Sequence, residues 1–541
     1  MEITRDFGSI AQHEYDLVVI GGGINGAGIF RDACVNGLRA LLLEKGDFAR
    51  GTSSGSTKLI HGGLRYLEYL EFGLVRESLR EREILLHTAG HLVHPLRLLF
   101  PIYRGRRHGA LEVGLGMILY DVLSLGKSLP HHRWLAPERA QLEHGALRRE
   151  GLRFAFEYAD CQVPYPERLV LENVLDGVAR GGKAVNYAEV TGFDVAGGRV
   201  RAVEVKDVLT GHTAVVSGRL FVNASGPWVD RVLGLAGVDG PRRIGGTRGT
   251  HIVLRPEGPL PEQAVYAPAV SDGRPFFTIP WEGFWLIGTT DIRTDESPDS
   301  VHATREEVDY LLTEANQLLD TVGLDRSHLV YTYAGIRPLP YTKAKREGAV
   351  TRKAIVLRHS RKEPPEGLIS VIGGKLTTYR NLGRKVVRLA CKTLGRKCQT
   401  ETASLRLPGA GEVDRNAWER LVEELGVTPA SQGHLLSLYG SRAVEILRFA
   451  RDKGVGAELL VEGAPDLTAE VLFAAEQEGA WRTEDVMLRR TGLALRGWFD
   501  ETAARQVAQV LGQVHRRSTD EVEQDAQAFV ELFRQRYQAG L

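Results

Sequence analysis

Three glycines at the spacing G-x-G-x-x-G, Gly21, Gly23 and Gly26, stand between an apolar run, DLVVI, and a stretch of helix-forming residues. Glu44 follows 23 residues after the first of them, at the end of a second apolar run, LRALLLEK. The chemistry that needs this spacing is the holding of a dinucleotide. The first glycine permits a tight turn, the second lets backbone N–H groups reach a pyrophosphate, and the third lets helix and strand pack closely. The helix N-terminus favours the anionic phosphates, and a carboxylate at Glu44 accepts from the adenosine ribose and disfavours a 2′-phosphate. Asn25 lies inside the same turn. Thr52, Ser53, Ser54 and Ser56 offer hydroxyls for the pyrophosphate and the chain beyond it, with Lys58 just after them. Asn223-Ala224-Ser225-Gly226 end a later strand in small residues that let a backbone approach a bound group. Gly373 and Gly374 open a further helix, where Lys375 and Thr378 face developing negative charge.

The elements that must position these residues begin with a complete βαβ unit from Asp16 onward. Neither GGTRGTH (245–251) nor LIGTTD (286–291) makes a second fingerprint. A long helical segment is expected from about Leu64 to Leu86, and antiparallel hairpins around 187–224. More strands are expected at 249–290, and LISVI before Gly373. From 413 the pattern is helical almost to the end, with Thr468, Thr483 and Asp520 as expected N-caps. This predicts an α/β oxidoreductase region over 14–406 and an all-α domain over 413–541. The cofactor core would come from segments 14–90, 165–245 and 330–400, interleaved with substrate or cap segments at 91–164 and 246–330. The 541 residues carry Lys+Arg 69 against Asp+Glu 68. A net charge of +1 gives no field to draw nucleic acid. Cys34, Cys161, Cys391 and Cys398 contain no C-x-x-C pair, so neither a metal site nor a disulfide framework is expected, and a reducing compartment is. The start, MEITRDFGSIAQHEYD, lacks a signal-peptide pattern, and no run of 18 apolar residues would span a membrane.

The stretches IGGGINGAGIFRDA, SGSTKLIHGGLRYLE, VNASGPWVD, IPWEGFWLIGTTD, YAGIRPL and IGGKLTTYRNL, in collinear order, resemble the FAD-dependent glycerol-3-phosphate dehydrogenases, the respiratory kind. These belong to the D-amino-acid-oxidase-like flavoprotein superfamily. The likeness implies a Rossmann-type FAD-binding domain interleaved with an antiparallel-sheet cap, FAD taken as non-covalently held, and oxidation of sn-glycerol 3-phosphate to dihydroxyacetone phosphate. It implies that Arg65, Tyr66, Arg337, Arg352 and Lys375 line the substrate site. A phosphate of nearly two negative charges needs converging cations, and arginine's planar fork suits its oxygens. Arg352 is set off by a poorly matching loop, PYTKAKREGAV. The hydroxyl proton needs an acceptor. His61 and His251 are the histidines inside the matching motifs, and an arginine such as Arg337 would instead stabilise the alkoxide electrostatically. These readings stay open on the sequence.

With no second nucleotide fold and no cysteine array, the electrons would leave to a quinone or to oxygen. The resemblance favours a quinone and a protein lying on an anionic membrane, at the cytoplasmic face. The cluster YRGRRHG (103–109) followed by LEVGLGMILYDVLSLG reads as an interfacial segment. A glycerol-3-phosphate oxidase making hydrogen peroxide, or an amine or amino-acid oxidase of the same fold, are the alternatives, and a homodimer is an open assembly. The oxidase form is expected to carry an internal insertion not seen here, and an amine oxidase would not need four phosphate-directed cations.

Overall fold

The computed structural model describes residues 2–3, 5–105, 109–320, 323–342 and 352–541. The run Leu17-Val18-Val19-Ile20 is buried on both faces and forms strand β1 (Leu17–Ile20), as a continuous apolar run does in a parallel sheet covered by helices. Helix α1 (Ile24–Val35) and strand β2 (Ala40–Leu43) complete the unit. β1 is central in a six-stranded sheet, pairing in parallel with β2 on one side and Phe221–Asn223 on the other, so that Val19 sits opposite Leu42 and Val222. Lys183–Val185 extends the β2 edge and Leu368–Ile372 the other, both in parallel, while Ile355–Arg358 adds one antiparallel edge strand.

A second, larger sheet carries the cap. It runs from Ile292–Arg293 through Thr247–Leu254, Phe284–Gly288, Pro275–Trp281, Ala264–Pro268, His94–Tyr103 and Leu152–Gln162 to Leu59–Ile60, with Leu329–Arg337 paired to Thr247–Leu254. Its pairings are antiparallel except Ala264–Pro268 with His94–Tyr103. Leu59–Ile60 and Leu329–Arg337 come from stretches that the sequence assigns to the cofactor core, so the chain crosses between the two sheets where the site lies. The hairpins of Ala188–Ala196, Arg199–Asp207 and Thr213–Ser217 form a small separate sheet. After residue 413 helices take over, from Arg415–Leu425 to Thr519–Tyr537.

Three details correct the sequence reading. The long helix is broken: a 3₁₀ turn, Leu64–Leu67, is followed by Leu70 at φ 56°, and the helix proper is Phe72–Thr88. Cys391 and Cys398 are disulfide-bonded, with Cα atoms 6.1 Å apart. The helix Tyr379–Leu394 ends at Gly395 in the left-handed conformation, which turns the chain back along its last turn and brings residue 398 beside 391. Cys34 and Cys161 are free and buried, and burial pushes the Cys34 thiol up to about 12. The expected N-caps lie inside their helices: Thr468 and Thr483 are first residues and Asp520 a second. Ser518 caps the last helix, its hydroxyl accepting from the Glu521 N–H while Glu521 accepts from Ser518, the reciprocal S-x-x-E pattern. Residues 106–108 of the basic cluster and 343–350 of the PYTKAKREGAV loop lie outside the described residues.

Candidate active site

The fingerprint turn is shaped by contact. A Cβ on Gly26 would lie 1.8 Å from the Gly21 carbonyl oxygen, and one on Gly21, at φ 109°, would lie 2.8 Å from that of Ala224. No larger residue fits either place. The Ile24 N–H at the start of α1 donates to Ser53 Oγ at 3.0 Å, and no side chain of α1's own N-cap, Gly23, covers the helix end. Above it opens a cleft of about 1350 Å³, lined by Gly21, Gly23, Asn25, Glu44, Thr52, Ser53, Ser56, Ser225, Gly226, Gly374 and Lys375. Glu44 accepts from the Gly22 and Gly46 N–H groups at 2.6 and 2.8 Å, which fixes its carboxylate and leaves lone pairs for a ribose. Burial raises its pKa. Asn25 donates to the Gly373 carbonyl at 3.1 Å, and its own Oδ1 is buried with no partner in the protein. An unfilled acceptor, bare helix N–H groups and glycines admitting backbone contact are what a pyrophosphate-bearing cofactor requires. FAD fits this cleft.

At the Gly374–Lys375 end the cleft meets a set of cations. The Leu70 break leaves Arg65 and Tyr66 on a short turn apart from the long helix. Lys375 stands 3.8 Å over the Tyr66 ring and donates to Ser78 at 3.3 Å. Arg337 ends its strand with its guanidinium flat against Gly249, where a Cβ would lie 2.1 Å from Nη2. It donates to Asp291 at 3.1 Å, to Thr289 Oγ1 at 2.8 Å and to the Thr290 carbonyl. Arg352 donates to the other Asp291 oxygen at 3.2 Å. Asp291 is buried, which alone would raise its pKa, but Arg337 and Arg352 bring it below the usual carboxylate range. Burial, helped by Arg352, pushes Arg337 down to about 10 despite Asp291. Lys375 is lowered chiefly by burial, and Tyr66 is lowered by Lys375 and Arg352 against the effect of burial. Asp291 is thus shared by Arg337, Arg352 and Arg65, with Lys375 alongside on Tyr66, an arrangement that gains from an added dianion.

The two histidines part company. His61 adjoins this cluster: its N–H donates to Thr377 Oγ1 at 3.2 Å, and burial, with Lys375, Arg352 and Arg82, pushes its pKa down to about 4 against the pull of Asp160. Behind it, Asp160 accepts from Gly62 N–H, Tyr120 and Arg82. His251 is sealed in the cap sheet, 1% exposed, stacked on Tyr333 and 2.9 Å from Thr57 Oγ1. Lys58 is also turned away. Its Nζ lies 3.8 Å from Glu167 and over Trp281, beside a small separate cavity that Ser54 also lines. Thr378 is buried behind the cleft wall, its N–H bonded to the Lys375 carbonyl. Asp291 ends the matched IGTTD run but carries no signal of its own in the sequence, because it acts only through Arg337 and Arg352, which come from distant segments. Arg50, Lys45, Trp228 and Arg536 also line the cleft without a sequence signal that links them.

Residues 16–380 match the family described as FAD dependent oxidoreductase, and 398–522 that described as C-terminal domain of alpha-glycerophosphate oxidase. The fold and cleft define an FAD-dependent oxidoreductase. The chain is 45% identical over 506 residues to the glycerol-3-phosphate dehydrogenase of Synechocystis sp., covering 91% of each. It is 32% identical over 498 residues to the aerobic glycerol-3-phosphate dehydrogenase of Staphylococcus epidermidis, covering 88% of this chain and 87% of the relative. The chain belongs to the FAD-dependent glycerol-3-phosphate dehydrogenase family. Among solved structures it is similar to the glycerol-3-phosphate dehydrogenase of Bacillus halodurans complexed with FAD, at 29% identity and TM-score 0.78 over 98% of this chain and 96% of that one. Glycine oxidase from Geobacillus kaustophilus shares the fold, with 20% identity and TM-score 0.52 over 73% of this chain and 98% of that one.

Proposed function

We propose that this enzyme oxidises sn-glycerol 3-phosphate to dihydroxyacetone phosphate and delivers the electrons to a quinone at a membrane surface. The observation that carries the reading is the cation set beside the FAD cleft: Arg337, Arg352 and Arg65 share Asp291, and Lys375 lines the cleft itself while standing over Tyr66. FAD, when bound, supplies the acceptor for the hydride leaving C2. Arg337 and Arg352 hold the phosphate dianion by paired N–H donors, and Asp291 aims both guanidiniums. His61, neutral at physiological pH because its pKa is near 4, is free to take the hydroxyl proton, while Lys375, facing both cleft and cluster, stabilises negative charge.

Support for the membrane comes from the helix Ala110–Leu123. It buries Val113, Met117 and Tyr120, and presents Leu111, Leu115, Ile118 and Val122 at 53–78% exposure, with Leu125 just beyond. A row of aliphatic side chains open to water is costly unless something covers it, and an interfacial helix buries such a face in the bilayer boundary. No helix among the described residues is long and apolar enough to cross a membrane.

Anaerobic mixing with sn-glycerol 3-phosphate bleaches the flavin band if the substrate is right, and a band that stays overturns it. Reoxidation by a quinone analogue much faster than by oxygen supports the dehydrogenase; equal rates make it an oxidase. Flotation with anionic liposomes that leaves the protein in solution removes the membrane assignment.

A further inference from the structure

The C-terminal helical unit reaches the cofactor cleft. Arg536, in the last turn of Thr519–Tyr537, lines the cleft together with Arg50, and the same two arginines line the cavity of about 520 Å³ that continues it past Trp228 and Pro298. The acids that line the cleft are already engaged. Asp299 accepts from Lys45 at 2.6 Å and from Trp228 at 3.0 Å, Glu189 from Arg231 at 3.1 Å, and Glu44 from two backbone N–H groups. Among the described residues no ion pair or hydrogen bond holds Arg536, and the carboxylate nearest Arg50 is Glu484 at 4.0 Å. Burial first, and the field of Arg50 second, hold the Arg536 guanidinium below its usual range. Glu484 and Asp299 offset this only in part, and two guanidiniums lining one cavity repel less once an anion lies between them.

The seat of this helix is built from both sides. Its end is tied to the cap strand Leu329–Arg337, where Thr332 donates to the Ala539 carbonyl at 2.9 Å. Three residues before Arg50, Asp47 accepts from Arg489 at 2.6 Å and side-on from Arg490 at 2.8 and 2.9 Å. The arginine pair is therefore held in place by contacts that do not depend on it.

We propose that Arg536 is a cofactor-binding residue which, paired with Arg50, closes the cleft over the FAD pyrophosphate, so that holding FAD and seating the C-terminal helix are linked. Arg536 lies beyond residue 522, where the match to the C-terminal family ends. By linkage, an interaction present only with FAD bound stabilises the seated helix by as much as the helix tightens FAD.

FAD release from diluted holoenzyme, followed by flavin fluorescence, tests this. Arg536→Gln and Arg50→Gln should each release FAD about tenfold faster, as expected for losing one charge-assisted contact of ~1.4 kcal/mol, and Arg536→Lys should retain most of the wild-type rate. Hydrogen exchange over 519–537 should slow on adding FAD to the stripped wild-type chain, and that slowing should vanish in Arg536→Gln. An unchanged release rate overturns the proposal. So does an Arg536→Gln melting temperature that falls as far in the FAD-stripped chain as in the holoenzyme, because the residue would then act on the helix alone. Neither readout depends on the identity of the oxidised substrate.

Discussion

Two arginine clusters in this molecule use the same residue type to opposite ends. Where the C-terminal unit meets the cofactor region, Arg168, Arg442, Arg489 and Arg490 face Asp47, Glu172, Glu478 and Asp485, a core of eight groups to which Glu484 adds a fifth acid 3.3 Å from Arg489. Their contacts include Arg168 to Glu478 at 2.6 Å and Arg442 to Glu172 at 3.1 Å. All eight are nearly fully buried, and the arginines hold Glu478 down to about 2 against burial. Beside the cleft, Arg337, Arg352 and Arg65 share Asp291, with Lys375 next to them on Tyr66. In the first cluster every arginine has a carboxylate partner; the second has more cations than Asp291 can pair and gains from an added anion. Charge balance, and not the number of arginines, separates a structural network from a binding site.

The largest expected effect falls on the balanced side. Arg490→Ala leaves Asp47 buried with half its partners, and breaking such a network costs about 3–5 kcal/mol. A calorimetric scan of the holoenzyme should show a melting temperature lower by several degrees. Lys375→Ala, which removes a like charge from the other cluster, should leave it unchanged or raise it. Equal falls in the two variants would dissolve the distinction.

Arg337→Ala comes next, on the unbalanced side. Losing a pair of charge-assisted donors to the phosphate, each worth ~1.5–3 kcal/mol, should lower kcat/KM at least about 10²-fold. The loss should sit mainly in KM, with FAD content normal by absorbance. Loss of FAD from this variant would move Arg337 from the substrate to the fold.

How far the clusters were legible in the sequence differs for the same reason. The nucleotide turn was readable because its constraint is local: Gly21, Gly26 and Glu44 sit on one βαβ unit. Arg65, Arg337, Arg352 and Lys375 come from four distant segments, and they were found through matching motifs, not through spacing. Asp291 and Arg536 were missed, since an acid that aims two arginines and a cation delivered by the last helix are set by tertiary contacts. The Leu70 break was hidden because its flanks are equally helix-forming, and the Cys391–Cys398 bond because a C-x-x-C search passes over residues joined by a helix end.

Asp291→Asn sharpens the unbalanced side with a smaller effect. The amide keeps the shape but loses the charge that holds two mutually repelling guanidiniums side by side and aimed. Misplacing binding groups lowers the rate at saturation, so kcat should fall about tenfold. KM should change less than about threefold, because the lost aim is offset by the removal of a carboxylate that competes with phosphate. A KM that rises as in Arg337→Ala, with kcat intact, would make Asp291 part of phosphate binding itself.

The smallest effect expected is an absence of one, and it tests what the unbalanced field does to His61. An ordinary histidine loses its proton near pH 6.5. Here burial leads, and Lys375, Arg352 and Arg82 add to it, so that despite Asp160 the folded value is about 4. A depressed histidine binds fewer protons folded than unfolded. Its contribution therefore favours unfolding as pH falls below about 6.5 and saturates once pH passes below about 4. For catalysis the sign is the same: the base is already deprotonated across the neutral range, and its loss by protonation is deferred to acid. With substrate saturating, so that its own phosphate titration drops out, kcat should be flat from pH 6 to 8 and fall only toward 4. A fall centred near 6.5 would mean that burial and the charges of Lys375, Arg352 and Arg82 do not hold His61 neutral. The proton acceptor would then be sought outside the cluster.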